Sequence, residues 1–199
     1  FLDSNRVDAI NQAIDENYEI AIFDDGLQDN SIYYDLSFVC FNKLNWIGNG
    51  MLIPAGPLRE NLKKINSYKN IFLNGNNENL INIKKQIKKL NLNLNIFDSE
   101  YHIINTDNFS KKQKYLAFSG IGNHQTFINM LKNNKFKIVE DLEFPDHYNY
   151  RNEDIDKINF ISKNLNAKII TTEKDFLRSN ILQKNNIQYI ESKLELKNK

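Results

Sequence analysis

Asp24 and Asp25 close the apolar run Tyr18 to Phe23. Adjacent carboxylates at the end of a strand are hard oxygen ligands, suited to a Mg2+ that bridges nucleotide phosphates. An apolar run that ends in Asp serves more often as a turn or a helix cap, and both readings stand at this point. Asp146-His147 follows another apolar run and offers an imidazole, the usual general base near neutral pH. A lone histidine is more often structural, and His102 and His124 are read that way. His147 is set apart by Pro145 before it and by Tyr148 and Tyr150 after it. Arg59 carries a planar fork matched to phosphate, or pairs with its neighbour Glu60. Lys174 either meets phosphate or pairs with Glu173 or Asp175.

These residues need a scaffold, and the spacing of apolar residues predicts one. Val7, Ile10 and Ile14 share a helical face within residues 6–17, and Tyr18 to Phe23 reads as a strand. Leu36 to Phe41 and Ile71 to Leu73 read as further strands of the same sheet. Between them, Gly48 to Glu60 holds Gly48, Gly50, Gly56, Pro54 and Pro57, the composition of a shaped loop. A helix over residues 78–90 then leads to an extended connector over residues 92–104.

From Lys114 strands and helices alternate. Strands are expected at 115–118, 136–142, 167–170 and 187–190, with helices after the first two and the polar segment Thr171 to Asp175 after the third. Such alternation makes a parallel sheet covered on both faces. Ligands of open α/β sheets bind beyond the carboxyl ends of the strands, which is where Asp24-Asp25, Ser119 to Asn123, Asp146-His147 and Thr172 to Asp175 fall. The expected organisation is α/β in two parts: residues 1–76 as a P-loop-type parallel sheet domain incomplete at its N-terminus, residues 77–113 as helix and connector, and residues 114–199 as a smaller Rossmann-like domain.

Composition narrows the function classes. With 41% hydrophobic residues, 13 Phe and 9 Tyr in 199 residues, the chain is too apolar to be disordered, and its apolar runs are too short to span a bilayer. Lys and Arg number 26 against 25 Asp and Glu, so no net field recruits nucleic acid. The single cysteine, Cys40, lies in an apolar run and is expected to be a buried thiol. Gly120-Ile121-Gly122 follows a strand, but Gln125 stands where a dinucleotide fingerprint needs its third glycine. No GxxxxGK[ST] segment occurs in these residues. The opening Phe1-Leu2-Asp3 has no initiator Met, and the chain is expected to start in mid-fold.

Five segments carry a resemblance. FDDGLQ (Phe23 to Gln28), GNGMLIPAGPLRE (Gly48 to Glu60), AFSGIGN (Ala117 to Asn123), FPDHY (Phe144 to Tyr148) and TTEKD (Thr171 to Asp175) resemble, in order, the signature segments of the tetraacyldisaccharide 4'-kinase family. The resemblance implies transfer of the γ-phosphate of ATP, with Mg2+, to the 4'-hydroxyl of a lipid A disaccharide precursor. It implies a P-loop domain, a second α/β domain and a cleft between them. It assigns Asp24 and Asp25 to the metal, His147 and Asp146 to catalysis, and Gln28, Asn49, Arg59 and Lys174 to substrate or phosphate. It also implies a peripheral enzyme on the cytoplasmic face of the bacterial inner membrane, attached through an N-terminal segment, with no nucleic-acid partner. The phosphate loop, the anchoring helix and an acidic partner for the histidine would all precede Phe1, so the isolated chain is expected to be an inactive fragment. Asp29 stands where many relatives carry His. The rival expectations are a non-catalytic kinase remnant or binding module, and a P-loop phosphotransferase for a small soluble substrate.

Overall fold

The computed structural model describes residues 5–75, 80–179 and 186–197. Helix α1 (Arg6–Asp15) begins at Asn5, whose side-chain oxygen accepts from the Val7 N–H and so satisfies one of the orphan donors of the first turn. Its apolar face finds little cover: none of its residues is buried, and Ile14 is 60% exposed.

The segment 18–23, expected as a strand, pairs with no described strand, and Ile20 and Ile22 are 80% and 93% exposed. A strand exists only through hydrogen bonds to a neighbour, and its apolar alternation then has no sheet face to fill. The next expected strand is shorter and displaced, β1 (Val39–Asn42). It lies at a sheet edge, and Cys40 is exposed on it rather than buried as expected.

The first sheet runs β1-β2-β3-β8, with β2 at Asn70–Asn74, β3 at Asn95–Ile103 and β8 at Ser192–Leu196. The β1–β2 and β2–β3 pairs are parallel and the β3–β8 pair is antiparallel. The stretch expected as a connector is therefore built into this sheet: helix α2 (Leu80–Leu90) places Ile83 and Ile87 against Ile65, Ile71, Leu73 and Leu94. The expected helix residues 78 and 79 lie outside the described residues. A buried ion pair crosses this unit, Lys43 Nζ to Asp98 Oδ1 at 2.5 Å.

The second sheet has the order β5-β4-β6-β7, all parallel. Its strands are β4 (Lys114–Ser119), β5 (Lys137–Glu143), β6 (Lys168–Thr172) and β7 (Ile187–Ile190), close to the expected spans. Helices α3 (His124–Asn133), α4 (Asn152–Leu165) and α5 (Glu173–Arg178) follow β4, β5 and β6. The β4 residues alternate between two cores: Tyr115 and Ala117 face the α3 side with Phe127, Ile128 and Leu131, while Leu116 and Phe118 face the α4 side with Ile155 and Ile158. Alternate side chains of a strand point to opposite faces, so a run buried throughout needs helices on both. Strand order reverses between β4 and β6, and the crevice of such a sheet opens beyond their carboxyl ends. The two units touch where Asn42 Nδ2 donates to Thr126 Oγ1 at 3.2 Å.

Candidate active site

The first cluster grows from the turn after residue 23. Asp25 has φ +54°, a left-handed conformation that Asp tolerates better than most residues. Tyr34 packs edge-on against Phe23 and donates its hydroxyl to the Gly26 carbonyl at 2.8 Å, which fixes the turn. Both carboxylates are exposed. Arg59 reaches Asp25 from the Pro/Gly loop, with Nη1 at 2.6 Å from Oδ1 and 2.5 Å from Oδ2. That hydrogen bond, with the charge of Arg59 behind it, holds the Asp25 carboxyl below the usual carboxylate range and raises Arg59 in turn. The alternative Arg59–Glu60 pair is not what forms, because Glu60 takes Lys64 at 2.8 Å.

The loop that presents Arg59 is closed by its own backbone. Ile53 N–H donates to the Leu58 carbonyl at 2.9 Å and Leu58 N–H to the Met51 carbonyl at 3.1 Å. Asn49 staples it from inside, donating to the Ala55 carbonyl at 2.8 Å and accepting from the Met51 N–H at 3.1 Å. Any Cβ at Gly56 would collide with the Asn49 side chain and the Met51 backbone. Asn49, expected to bind substrate or phosphate, thus has both ends of its amide engaged in the loop. Gln28 is exposed. Asp29, which follows it, accepts from the hydroxyl and N–H of Ser31 and pairs with Arg6 at 3.0 Å, bonds that lower its carboxyl to about 2. Asp24, Asp25, Gln28 and Arg59 line one cleft of about 1250 Å³ with apolar walls from α1 and from residues 18–41.

The second cluster sits beyond the carboxyl ends of β4, β5 and β6. His147 has φ +58°, again in the left-handed region. Its N–H donates to the Gly120 carbonyl at 3.1 Å and approaches its neighbour Asp146 Oδ1 at 3.0 Å. Asp146 Oδ2 lies 3.8 Å from His147 Nε2. Residues 145–148 come down directly on Gly120, where a Cβ would meet the Pro145 carbonyl and the Tyr150 hydroxyl at 3.0 Å. Close approach favours glycine there. Arg178 of α5 completes the cluster, donating to the same Gly120 carbonyl at 3.1 Å and contacting His147 Nδ1 at 3.2 Å. Behind it, Asp175 is fully buried and accepts from the Thr172 hydroxyl at 2.6 Å and the Tyr150 hydroxyl at 3.1 Å. Burial, then the Asp175 charge, pushes the Tyr150 phenol far up. Lys174 is exposed on α5 and pairs with neither Glu173 nor Asp175.

Arg178 was not singled out in the sequence, whereas His124, read as structural, sits in a buried array. His124 Nδ1 lies 2.7 Å from Ser119 Oγ and its Nε2 lies 3.0 Å from Asp141 Oδ1. An ionised carboxylate only accepts, so Nε2 carries the proton and Nδ1 accepts from the serine. Ser119 and His124 are buried at 0% and 1% exposure while the Asp141 side chain is 36% exposed, and the array ties β4 to α3 and β5. The signal for Arg178 lay in Thr172-x-x-Asp175, a helix-capping pattern that places residue 178 one turn beyond a buried acid.

Among the described residues no group of three or more His, Cys, Asp or Glu gathers as a metal cage. Two adjacent exposed carboxylates still fit Mg2+, which keeps several waters and takes only one or two protein carboxylates beside substrate phosphates. No hydrogen bond or ion pair among the described residues joins the first cluster to the second.

The family model described as Tetraacyldisaccharide-1-P 4'-kinase matches residues 1–199. This chain belongs to that family. The tetraacyldisaccharide 4'-kinase of Pelagibacter ubique (strain HTCC1062) is 59% identical over 98% of this chain and 62% of its own length. That of Rickettsia akari (strain Hartford) is 38% identical over 90% of this chain and 54% of its own. The chain thus spans between about half and three fifths of these kinases. The solved structure of the "apo" form of LpxK from Aquifex aeolicus in complex with ATP is similar at a TM-score of 0.52 and 25% identity, over 87% of this chain and 52% of that one. The α/β architecture described above is that of a tetraacyldisaccharide kinase.

Proposed function

We propose that this chain forms part of an ATP-dependent kinase that phosphorylates the 4'-hydroxyl of a tetraacyldisaccharide 1-phosphate in lipid A biosynthesis. The observation that carries this reading is the cleft in which Asp24, Asp25, Gln28 and Arg59 converge, in a chain of this family. Asp24 and Asp25 would hold Mg2+, which when bound offsets charge on the nucleotide phosphates. Arg59 and Asp25 neutralise each other at 58% and 61% side-chain exposure, so each is free to exchange its partner, one for a phosphate oxygen and the other for a cation.

A sugar hydroxyl is a poor nucleophile at neutral pH. Its oxygen forms the new bond to the γ-phosphorus as the bond to ADP breaks, and its proton must leave to a base. Asp146 and His147 are the pair assigned to that proton, and Lys174 and Gln28 are assigned to phosphate or substrate contact. Asn49 serves by shaping the loop that aims Arg59. The acyl chains of the acceptor belong in a bilayer, so the kinase works at the membrane surface, on the cytoplasmic side where ATP is found. No helix among the described residues is long and apolar enough to cross a membrane.

The 199 residues contain no phosphate-cradling GxxxxGK[ST] loop, so by themselves they are expected to give no turnover. The test is product formation by the whole coding region that contains this chain, with ATP, Mg2+ and the disaccharide 1-phosphate. Bisphosphorylated product is expected, and Asp24→Asn or Asp25→Asn should lower turnover by roughly a hundredfold with thermal unfolding unchanged. Wild-type turnover in both variants would return the two carboxylates to turn-capping and end the reading.

A further inference from the structure

We infer that Arg178 is a positioning residue for His147, holding the ring by Nδ1 so that Nε2 carries the proton and lies on the Asp146 side. This rests on the kinase reading for its catalytic meaning, but the geometry stands by itself. A guanidinium has donors and no acceptor, and it stays charged throughout the working pH range. With Arg178 Nη2 at 3.2 Å from Nδ1, that nitrogen must supply a lone pair, and in the neutral ring the proton then sits on Nε2. The two terminal nitrogens of Arg178 divide their work, Nη1 on the Gly120 carbonyl and Nη2 on the imidazole, so one planar group fixes both the loop after β4 and the ring after β5.

The side chain of His147 needs an external brace. It is 79% exposed, and its backbone is held in the left-handed region by the Gly120 carbonyl. Arg178 is itself braced. Its side chain is only 24% exposed, and Asp175, with a fully buried side chain, lies 3.7 Å from Nη1 while Thr172 and Tyr150 hold the carboxylate in place. The order of support runs from a buried acid through a half-buried base to an exposed imidazole, which keeps the exposed group in one orientation at little cost in motion. A ring held this way meets a ligand as an N–H donor at Nε2, so within the Asp146–His147 pair the carboxylate of Asp146, 3.8 Å from Nε2, is the group left to accept the hydroxyl proton.

Two measurements test the inference. In the 15N-labelled chain, long-range proton–nitrogen spectra assigned with His147→Gln should show that the neutral form of the His147 ring has an unprotonated Nδ1 and a protonated Nε2. Arg178→Leu should give averaged nitrogen shifts for His147 alone, leaving His102 and His124 unmoved, and Arg178→Lys should restore much of the wild-type pattern. Unchanged His147 shifts in Arg178→Leu would overturn the inference. In the whole kinase, Arg178→Leu should lower kcat by roughly tenfold to a hundredfold, with the KM for ATP little changed. Combined with His147→Ala it should add almost nothing, since the two act as one unit. Fully additive losses would also overturn it. Wild-type activity in His147→Ala would instead remove the catalytic reading of His147, leaving the nitrogen spectra to decide the geometry.

Discussion

Arg59 sets one terminal nitrogen between the two carboxylate oxygens of Asp25, at 2.6 and 2.5 Å, across 34 residues of chain. Asp25 thereby titrates below its ordinary value of 3.8. A carboxyl whose folded value is depressed contributes its stabilisation above the ordinary value and loses it as pH falls through the depressed one. Carbon-detected titration of the Asp25 carboxyl should show the midpoint returning toward 3.8 in Arg59→Ala. Because both side chains are exposed, thermal unfolding at neutral pH should hardly move. An unchanged Asp25 midpoint would show that the pair does not persist in solution.

Gly120→Ala should displace the loop that carries His147. The new methyl would press on the Pro145 carbonyl and the Tyr150 hydroxyl at 3.0 Å and on Tyr148 Cβ at 3.1 Å. Two of these atoms are backbone or packed ring and yield poorly, so a loss of roughly 1–3 kcal/mol is expected in denaturant unfolding. The amide signal of His147, which donates to the Gly120 carbonyl, should shift as well. A variant with wild-type stability and an unmoved His147 amide would contradict the close approach.

Tyr150→Phe removes one donor from the buried Asp175 carboxylate. At neutral pH the cost should be roughly 1–3 kcal/mol, the price of leaving a buried acceptor short of a partner. Burial raises the Tyr150 phenol well above its usual 10.0, so it stays protonated in the fold where the unfolded chain ionises. The unfolded state then binds fewer protons, and the stabilisation from Tyr150 is complete below the unfolded value and declines as pH rises above it. Urea melts of wild type and Tyr150→Phe between pH 7 and roughly 10.5 should therefore converge toward the alkaline end. Parallel stability curves would count against the raised phenol.

Lys43→Met should be among the most damaging single changes. Lys43 and Asp98 are buried with side-chain exposures of 0% and 7%, and removing the lysine leaves a carboxylate whose remaining cation among the described residues is Lys84 at 3.9 Å. Breaking one side of such a pair costs roughly 3–5 kcal/mol, while replacing both sides with apolar residues is often near neutral. Denaturant unfolding of Lys43→Met and of Lys43→Met combined with Asp98→Leu separates the two, and a double variant as unstable as the single would sink the explanation.

The alternation of β4 to β7 with α3 and α4 was legible in the chain because its signals are local, while the short α5 was not singled out. Apolar runs buried on both faces, helical spacing and turn residues after each strand lie within a few positions of one another. The same local reasoning put Asp146 and His147 just past β5, as found, whereas it put Asp24 and Asp25 at the end of a strand that does not form. What tertiary structure decided was partnership. Residues 18–23 have strand composition and form no strand, because a ladder depends on a neighbour that composition does not supply. Residues 95–103, expected to be a connector, became a central strand once β8 paired with them across some ninety residues of sequence. Arg59 chose Asp25 over the adjacent Glu60, and Arg178 found His147 from another strand's helix. Short-range periodicity is written along the chain, whereas the choice among many chemically equivalent partners belongs to the packed fold that brings a particular two within hydrogen-bond reach.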